Sequence, residues 1–333
     1  YEQRKFIEAY FNALCFVPAG EYRYHLVKQK EIGEEVRAHL VKLPKGTTIL
    51  GHVNDLKSEI EKHGPLPASY FKTDKKVSWG YSAGLKATTA CLDYMWYSGM
   101  LMTSHRDNGK RVYDLPERVL PEHVNKKPAS KREHRDFMLR KHFRTYHLGD
   151  LSFWRFGNMR LKKAERIKLI SPLIKSGEML ELEIENIKTP FLIMKDDYDD
   201  LIASEKYRPD NRVRFLAPLD NMTFNRDMIE DIFGFEYRWE VYSPKSKRKY
   251  GYYVMPILYK TDFIGRIDPK ADRKNSILVF NQIQIQDGVM ITKALLKEFA
   301  AAAIRLAKFS GLDKVDVKKT SPSSLKTPLS KIL

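Results

Sequence analysis

The sequence predicts an α+β protein in which tandem winged-helix modules are followed by a C-terminal β-barrel-like domain with a closing helix. The modules are predicted because the segments 46–121 and 122–197 each carry helical patterns followed by two short strand patterns. The barrel is predicted because the pattern becomes mostly strand from Val213 onward. Several strands closed by one amphipathic helix are typical of a small barrel or a curled sheet.

The predicted domain organisation follows the changes of pattern along 333 residues, a length typical of two or three domains. We expect a flexible C-terminal tail because the last residues are rich in Ser, Pro and Lys. The predicted parts are, in order, 1–45 as the remnant of an N-terminal helical or winged-helix region, 46–121 as a winged helix, 122–197 as a second winged helix, 198–212 as a linker, 213–312 as the β-barrel-like domain and 313–333 as the tail.

The N-terminal elements are predicted from helical periodicity and from the residues that interrupt it. Residues 1–45 predict helix, loop and helix, with Glu2–Tyr10 helical, Cys15–Pro18 as an apolar elbow and Glu21–Val41 as the second helix. The first winged helix is predicted to contain helices Val53–His63, Pro67–Phe71 and Lys86–Ser98, then strands Met100–Thr103 and Arg111–Tyr113. Asn108-Gly109 between these strands is a strong tight-turn signal and marks the tip of the predicted wing.

The second module repeats this order more loosely. Its predicted elements are helices Lys131–Arg144, Leu151–Phe156 and Leu161–Lys175 and strands Met179–Ile184 and Phe191–Lys195. Pro172 weakens the last turn of the third helix because proline removes a hydrogen bond inside a helix.

The C-terminal domain is predicted from strand alternation. Its strands are Tyr237–Ser243, Gly251–Tyr259, Phe263–Asp268 and Ile277–Gln286. Thr292–Phe309 is amphipathic and supplies the closing helix, and Lys318–Leu333 is expected to be disordered.

The net charge indicates a polyanionic partner. The chain has 59 Lys and Arg against 42 Asp and Glu, a formal charge of +17. The dense run Lys126–Arg144 fits either a binding surface or a solvated helix face. The sequence contains no apolar run of the roughly 18 residues that a membrane span needs. Cys15 and Cys91 lack the spacing of metal ligands, so we interpret them as reduced core residues of an intracellular, cytoplasmic protein.

A basic, aromatic segment is the strongest candidate for contact with nucleic acid. Arg238–Pro256 reads RWEVYSPKSKRKYGYYVMP and predicts a hairpin with a cationic tip and aromatic shoulders. Lys and Arg neutralise phosphates, and flat rings stack on bases or wedge between them. The predicted DNA-binding residues of this hairpin are Lys245, Lys247, Arg248, Lys249, Tyr250 and Tyr252. The alternative is a solvated basic turn beside core tyrosines.

The predicted wing supplies a second set of candidate DNA contacts. In winged helices the third helix enters a groove and the wing touches the backbone, although such modules also mediate protein contacts. Arg106, Lys110 and Arg111 are the cations of this wing.

Several strings together resemble a known family. They are Glu8–Pro18 (EAYFNALCFVP), Val112–Pro121 (VYDLPERVLP), Phe215–Asp220 (FLAPLD), Arg226, Phe233–Arg238 (FGFEYR), Lys247–Pro256 (KRKYGYYVMP) and Gly265–Arg273 (GRIDPKADR). In this order they resemble the winged-helix DNA glycosylases of the YcaQ/AlkZ type, over nearly the whole chain.

The resemblance implies a DNA-repair hydrolase that cleaves the N-glycosidic bond of N7-alkylated purines, including guanines in interstrand crosslinks. It implies a monofunctional enzyme without metal or other cofactor, a positively charged channel for duplex DNA, and a monomer associated with the nucleoid when bound. The family's catalytic Gln-x-Gln or Gln-x-Asp motif precedes the stretch matching Glu8–Pro18. We therefore expect it upstream of Tyr1 and assign no catalytic residue within the chain. Gln282-Ile283-Gln284 and Gln284-Ile285-Gln286 have this spacing, but β alternation explains it.

The resemblance also indicates four pocket candidates, which are Tyr10, Asn12, Asp220 and Arg226. Asn12 stands where family members usually carry His, and Asn cannot take a proton near neutral pH. Asp220 is alternatively a helix N-cap before Met222. Two other functions stay open, a winged-helix transcriptional regulator that reads a palindrome and a catalytically dead paralogue that binds damaged DNA.

Overall fold

The computed structural model describes residues 1–11, 13–42, 46–73, 75–79, 82–151, 159 and 161–333. The chain divides into two compact units, Tyr1–His142 with Trp154–Leu169, and Phe143–Phe153 with Ile170–Leu333. The division falls inside two helices, at positions that differ from the predicted boundaries.

The first unit begins with a β-hairpin where a helix was expected. Strands β1 (Phe6–Tyr10) and β2 (Leu14–Pro18) pair antiparallel, with Ile7 opposite Val17. The prediction of a helix over Glu2–Tyr10 is wrong, because the paired strands place Ile7, Ala9 and Val17 together in one buried core.

The rest of the first unit is built around one buried helix. Its elements are α1 (Tyr22–Lys42), α2 (Gly46–Leu50), α3 (Val53–His63), β3 (Leu66–Pro67), β4 (Lys76–Trp79), β5 (Ser82–Lys86), α4 (Ala87–Tyr97), β6 (Met102–Asp107), β7 (Lys110–Asp114) and α5 (Pro116–Val119). Helix α4 presents Ala87, Ala90, Cys91, Leu92 and Met95 to the core with essentially no exposure. Cys91 is therefore a core residue, and Cys15 is half-buried.

A three-stranded antiparallel sheet follows the order β3-β7-β6. The turn between β6 and β7 has positive φ at Asn108 (47°) and Gly109 (78°), as a tight turn at this dipeptide requires. The predicted helix Pro67–Phe71 is wrong, because Leu66 and Pro67 pair with β7 and a turn follows them. The hairpin of β4 and β5 was not predicted.

The second sheet has the same strand order as the first. Helix α6 (Lys131–Tyr146) is followed by β8 (Leu148–Asp150), α7 (Lys163–Lys175), β9 (Met179–Leu182) and β10 (Phe191–Met194), and the sheet runs β8-β10-β9. Helix α7 contains Pro172 and continues to Lys175. Of the predicted helix Leu151–Phe156, only Leu151 is described and lies in a turn; residues 152–156 lie outside the described residues. Part of the predicted linker is helix α8 (Lys195–Ser204).

The C-terminal part is a curled six-stranded sheet packed against a long helix. Its elements are β11 (Val213–Phe215), α9 (Asn221–Phe224), α10 (Arg226–Phe233), β12 (Met255–Tyr259), β13 (Asp262–Asp272), β14 (Ile277–Ile285), α11 (Lys293–Phe309), β15 (Lys314–Val317), β16 (Thr320–Ser321) and α12 (Lys326–Ile332). The order is β11-β12-β13-β14-β15, with β16 also pairing β14. Thr292 caps α11 by accepting the Leu295 N–H at 3.1 Å, and Leu295 and Phe299 enter the sheet's core. The closing helix is thus confirmed.

The prediction of a flexible, disordered tail is wrong. Strand β15 pairs parallel to β14, and Leu325 and Leu329 are buried in the same core as α11. Composition misled here because apolar residues at a spacing of four are enough to bury one face of a short helix.

Candidate nucleic-acid interface

The segment between α10 and β12, residues 234–254, is called the basic loop below. It was predicted as the shoulders and tip of a β-hairpin, and this prediction is wrong. The loop is irregular and contains two short 3-10 turns, Glu240–Tyr242 and Lys245–Lys247, and strand pairing begins only at Met255. The backbone N–H groups of residues 249–253 donate to side-chain carboxylates, so a strand ladder is not needed to satisfy them.

Glu240 anchors the tip of the loop from inside. Its side chain is 7% exposed and accepts the backbone N–H groups of Lys249 (2.8 Å), Tyr250 (2.7 Å) and Gly251 (3.1 Å). Hydrogen bonds to an ionised acceptor are stronger than neutral ones, and three converge on one carboxylate. The cationic residues are therefore held on a fixed backbone.

Asp268 of β13 anchors the end of the loop in the same way. It accepts the N–H groups of Tyr252 (3.2 Å) and Tyr253 (2.9 Å) and the side-chain amide of Asn281 (3.3 Å). At Gly251, φ is +143° and an added Cβ would lie 2.3 Å from Cγ of Asp268. Only glycine fits between the two anchors.

Replacing Gly251 with alanine is expected to destabilise the loop by about 1–3 kcal/mol, since the new methyl must displace Asp268 and the backbone is strained. Chemical unfolding measures the change in the free energy of unfolding. Gly288→Ala is the matched control, because φ there is also positive (82°) but no atom lies within 4 Å of the added Cβ. An equal fall in the free energy of unfolding in the two variants would show that Asp268 does not confine the loop.

Arg266 fills the space beneath the loop. Its guanidinium lies 4.5 Å from the ring centroid of Phe235 and 4.1 Å from that of Tyr250. It donates to Oε1 of Gln284 and to the carbonyl of Glu236, both at 2.6 Å. Burial lowers the pKa of Arg266. Tyr250 thus packs on an internal cation. Gln284 binds the same cation, and this structural role agrees with the interpretation that β alternation explains the Gln-x-Gln spacing.

The outer surface of the loop carries the cations. Lys245, Lys247 and Lys249 are exposed. Arg248 is half-buried, donates from Nε to the carbonyl of Ser243 at 2.9 Å, and lies 4.7 Å from the ring centroid of Tyr252. Lys249 is exposed as well, but its Nζ lies 4.9 Å from the ring centroid of Tyr250, so two of the four cations are held against rings.

Exposed aromatic rings accompany these cations. Tyr252 is 53% exposed beside Arg248, so its ring lies on the same side of the loop as that cation. Tyr242, at 88% exposure, was missed by the sequence analysis. Its position next to Ser243-Pro244, where the predicted strand breaks, was the available signal.

A cleft of about 570 Å³ adjoins the loop. It is lined by Arg226, Asp227, Glu230, Glu236, Tyr237, Arg238, Trp239, Glu240, Ser243 and Lys247. Arg226, a predicted pocket residue, lies in this cleft with its guanidinium 5.7 Å from the ring centroid of Tyr237. Asp220 instead accepts the Met222 N–H at 3.0 Å and caps α9, which supports the structural alternative.

The predicted wing is a hairpin, but two of its cations are used internally. Glu8 of β1 is buried and accepts from Nε of Arg106 at 2.6 Å and Nε of Arg111 at 3.1 Å, and from the hydroxyl of Tyr1. Burial alone would raise the pKa of Glu8, but hydrogen bonds from Arg106, Tyr1 and Arg111 lower it to about 2. Arg106 and Arg111 are thus ion-paired, while Lys110 is exposed.

Tyr10, another predicted pocket residue, contacts helix α4. Its hydroxyl lies 3.3 Å from that of Tyr97, and the two rings stack at 5.8 Å. The predicted pocket residue Asn12 lies outside the described residues.

The basic run of α6 is partly neutralised. Arg140 pairs with Asp136 at 3.1 Å, and Lys141 pairs with Glu21. The alternative of a helix face whose charges are paired or solvated accounts for these positions.

Among the described residues, no group of three or more His, Cys, Asp or Glu side chains is arranged to hold a metal ion. No helix in this part of the chain is long and apolar enough to cross a membrane.

Comparison with known proteins gives two findings. A family model described as DNA glycosylase AlkZ-like matches residues 1–309. The solved structure of the Streptomyces sahachiroi DNA glycosylase AlkZ superimposes with a TM-score of 0.57 at 14% identity, over 96% of this chain and 82% of that chain. At this identity the superposition shows a shared fold. The family match begins at residue 1 and gives no support to the expectation that the catalytic segment is missing.

Proposed function

The chain belongs to the AlkZ-like family of DNA glycosylases, and from this premise we propose that it takes part in the repair of alkylated duplex DNA. The proposed reaction is hydrolysis of the N-glycosidic bond of N7-alkylated purines, including crosslinked guanines. The observation that carries the proposal is the basic loop, in which exposed cations and exposed rings stand on a backbone fixed by Glu240 and Asp268. Because that backbone is fixed in advance, binding DNA does not require the loop to become ordered.

The proposed division of labour follows from the chemistry of the substrate. An N7-alkylated purine is already cationic, so it leaves without strong acid catalysis. The enzyme must then stabilise an oxocarbenium-like sugar and position a water molecule. In this proposal Lys245, Lys247 and Lys249 neutralise phosphates, while Tyr252 and Tyr242 stack on or wedge between bases.

We infer that both three-stranded sheets belong to winged-helix modules. Each has its third strand between the first two and a helix directly before the second. In the first module this assigns phosphate contact to Lys110 alone, since Arg106 and Arg111 bind Glu8.

Removal of the exposed ring is expected to weaken DNA binding. Tyr252→Ala should cost about 1–3 kcal/mol of binding free energy, because that is the contribution of one stacked base. Fluorescence anisotropy with a labelled duplex measures the dissociation constant. Tyr207→Ala is the matched control, because Tyr207 is 64% exposed outside the loop. If both variants bind as the parent does, Tyr252 has no stacking or wedge role.

The proposed activity is tested by release of N7-methylguanine from duplex DNA, separated by chromatography. We expect the protein to release the base from duplexes of several sequences and to leave unmodified duplex intact. Absence of release contradicts the proposed activity, and strong preference for one palindrome favours a regulator.

The same assay tests the strand glutamines. Release of the base that is lost in a Gln282→Ala variant would show that these glutamines are catalytic and that the sequence interpretation is wrong. Release that the variant keeps places the catalytic pair elsewhere.

A further inference from the structure

The second unit carries a groove that the proposed DNA chemistry does not use. It has a volume of about 530 Å³ and lies between helix α8, the strands β9 and β10, and the turn before β8. Its apolar lining is formed by Leu148, Leu182, Ile184, Ile193 and Leu201.

Helix α8, which forms one wall of the groove, leaves its apolar residues partly exposed. None of its ten residues is buried, and Leu201 and Ile202 are 42% and 46% exposed. A surface helix normally buries its apolar residues against the protein. Here Leu201 faces a groove that is open to a partner.

The rim of the groove has the opposite sign to the chain as a whole. Glu183, Asp197 and Asp200 line it, and α8 also contains Asp196 and Asp199. Within the described part of the chain, Asp197 binds His147 at 3.1 Å, whereas Glu183 and Asp200 show no ion pair. In a protein of net charge +17 this acidic rim repels DNA, so the occupant is not the polyanion of the basic loop.

We propose that this groove docks a cationic amphipathic helix of a protein partner. The apolar lining takes a stripe of leucine-like side chains, and the rim carboxylates take the flanking Lys or Arg residues, as in other helix-in-groove complexes. Helix α8 is ten residues long, about 15 Å at 1.5 Å per residue, which matches two to three turns of a bound helix. Charge complementarity selects this occupant over an acidic peptide or a nucleic acid.

The test uses a defined probe. A fluorescein-labelled peptide of about 14 residues, built from Leu at helical spacing with Lys elsewhere, is titrated with the whole chain by anisotropy. We expect saturable binding, and binding weaker by at least about tenfold for the same peptide with Glu in place of Lys.

Two variants assign the binding to the groove. Leu201→Glu removes the apolar wall, and Glu183→Lys with Asp200→Lys reverses the rim, so each should weaken binding of the Lys peptide by about tenfold or more. All three positions are exposed, and the double variant keeps the test open if Leu201→Glu fails to fold. The matched control is Glu34→Lys with Glu35→Lys, which makes the same charge change on an exposed face of α1.

Equal binding of the Lys and Glu peptides overturns the proposal. So does a loss of Lys-peptide affinity in the control variant as large as that in the Glu183→Lys, Asp200→Lys variant. Self-association of the chain that Leu201→Glu abolishes, measured by analytical ultracentrifugation, would identify a second copy as the occupant and would also overturn it.

Discussion

Replacing Glu240 with glutamine is expected to loosen the tip of the basic loop. The change removes the charge that binds three backbone N–H groups and turns an amide N–H₂ toward them. Hydrogen bonds to charged groups contribute about 1.5–3 kcal/mol each. Because the amide oxygen of glutamine still accepts some of these hydrogen bonds, the free energy of unfolding should fall by about 2–4 kcal/mol. Duplex affinity should fall by at least about tenfold, because a mobile loop must be ordered on binding.

The control for this variant lies in the same loop. Glu236→Gln makes the same substitution at a side chain that is 60% exposed and pairs only distantly with Arg238, at 3.8 Å. Its stability should change by less than about 0.5 kcal/mol, as for most surface substitutions. Urea unfolding measures the free energy of unfolding. A comparable fall in this free energy in the Glu240→Gln and Glu236→Gln variants would contradict the anchoring role of Glu240.

Removing the three exposed lysines of the loop is expected to reduce duplex affinity by about a hundredfold at moderate salt, because three phosphates lose their counter-charges. The variant is Lys245→Ala, Lys247→Ala and Lys249→Ala. Arg248 is kept because it binds the carbonyl of Ser243 and so contributes to the loop's structure. The melting temperature should scarcely change, since exposed charges add little to stability.

The matched control for this variant is Lys314→Ala, Lys318→Ala and Lys319→Ala. These side chains are also exposed, and they lie on the C-terminal segment of the same unit. The net charge falls equally in the two variants. A loss of duplex affinity in the loop variant alone therefore assigns DNA binding to the lysines of the loop. Equal losses would show that only the total charge attracts DNA.

The sequence predicted the exposed cations of the loop better than its backbone. Lys245, Lys247 and Lys249 follow from charge, and the candidate contact Tyr252 is also exposed. The hairpin was wrong because Glu240 and Asp268 capture the backbone N–H groups, and capture by a side chain has no periodic signature.

Long-range pairing explains the misinterpretation of the wing. Arg106 and Arg111 looked like free cations because Glu8 is 98 and 103 residues away in sequence. By contrast, the cap at Asp220 was foreseen because it acts over two residues, on the Met222 N–H. Local interactions could thus be anticipated from the residues, and tertiary ones could not.

Weak periodicity explains the two errors at the ends of the chain. The N-terminal hairpin has strands of only five residues, too short for alternation to be distinguished from a helical turn. At the C-terminus, Leu325 and Leu329 were the available signal for a packed helix, but the surrounding Ser, Pro and Lys residues outweighed it.

The salt dependence of duplex binding tests the central claim most directly, which is that the basic loop neutralises DNA phosphates. The logarithm of the binding constant is measured against the logarithm of salt concentration for the parent chain and for the variant without Lys245, Lys247 and Lys249. Each lost phosphate contact removes about 0.9 from the slope, so three contacts should make the slope shallower by about 2.7. Parallel lines for the two proteins, with only a uniform offset or none, would show that these lysines do not contact phosphates and would contradict the account.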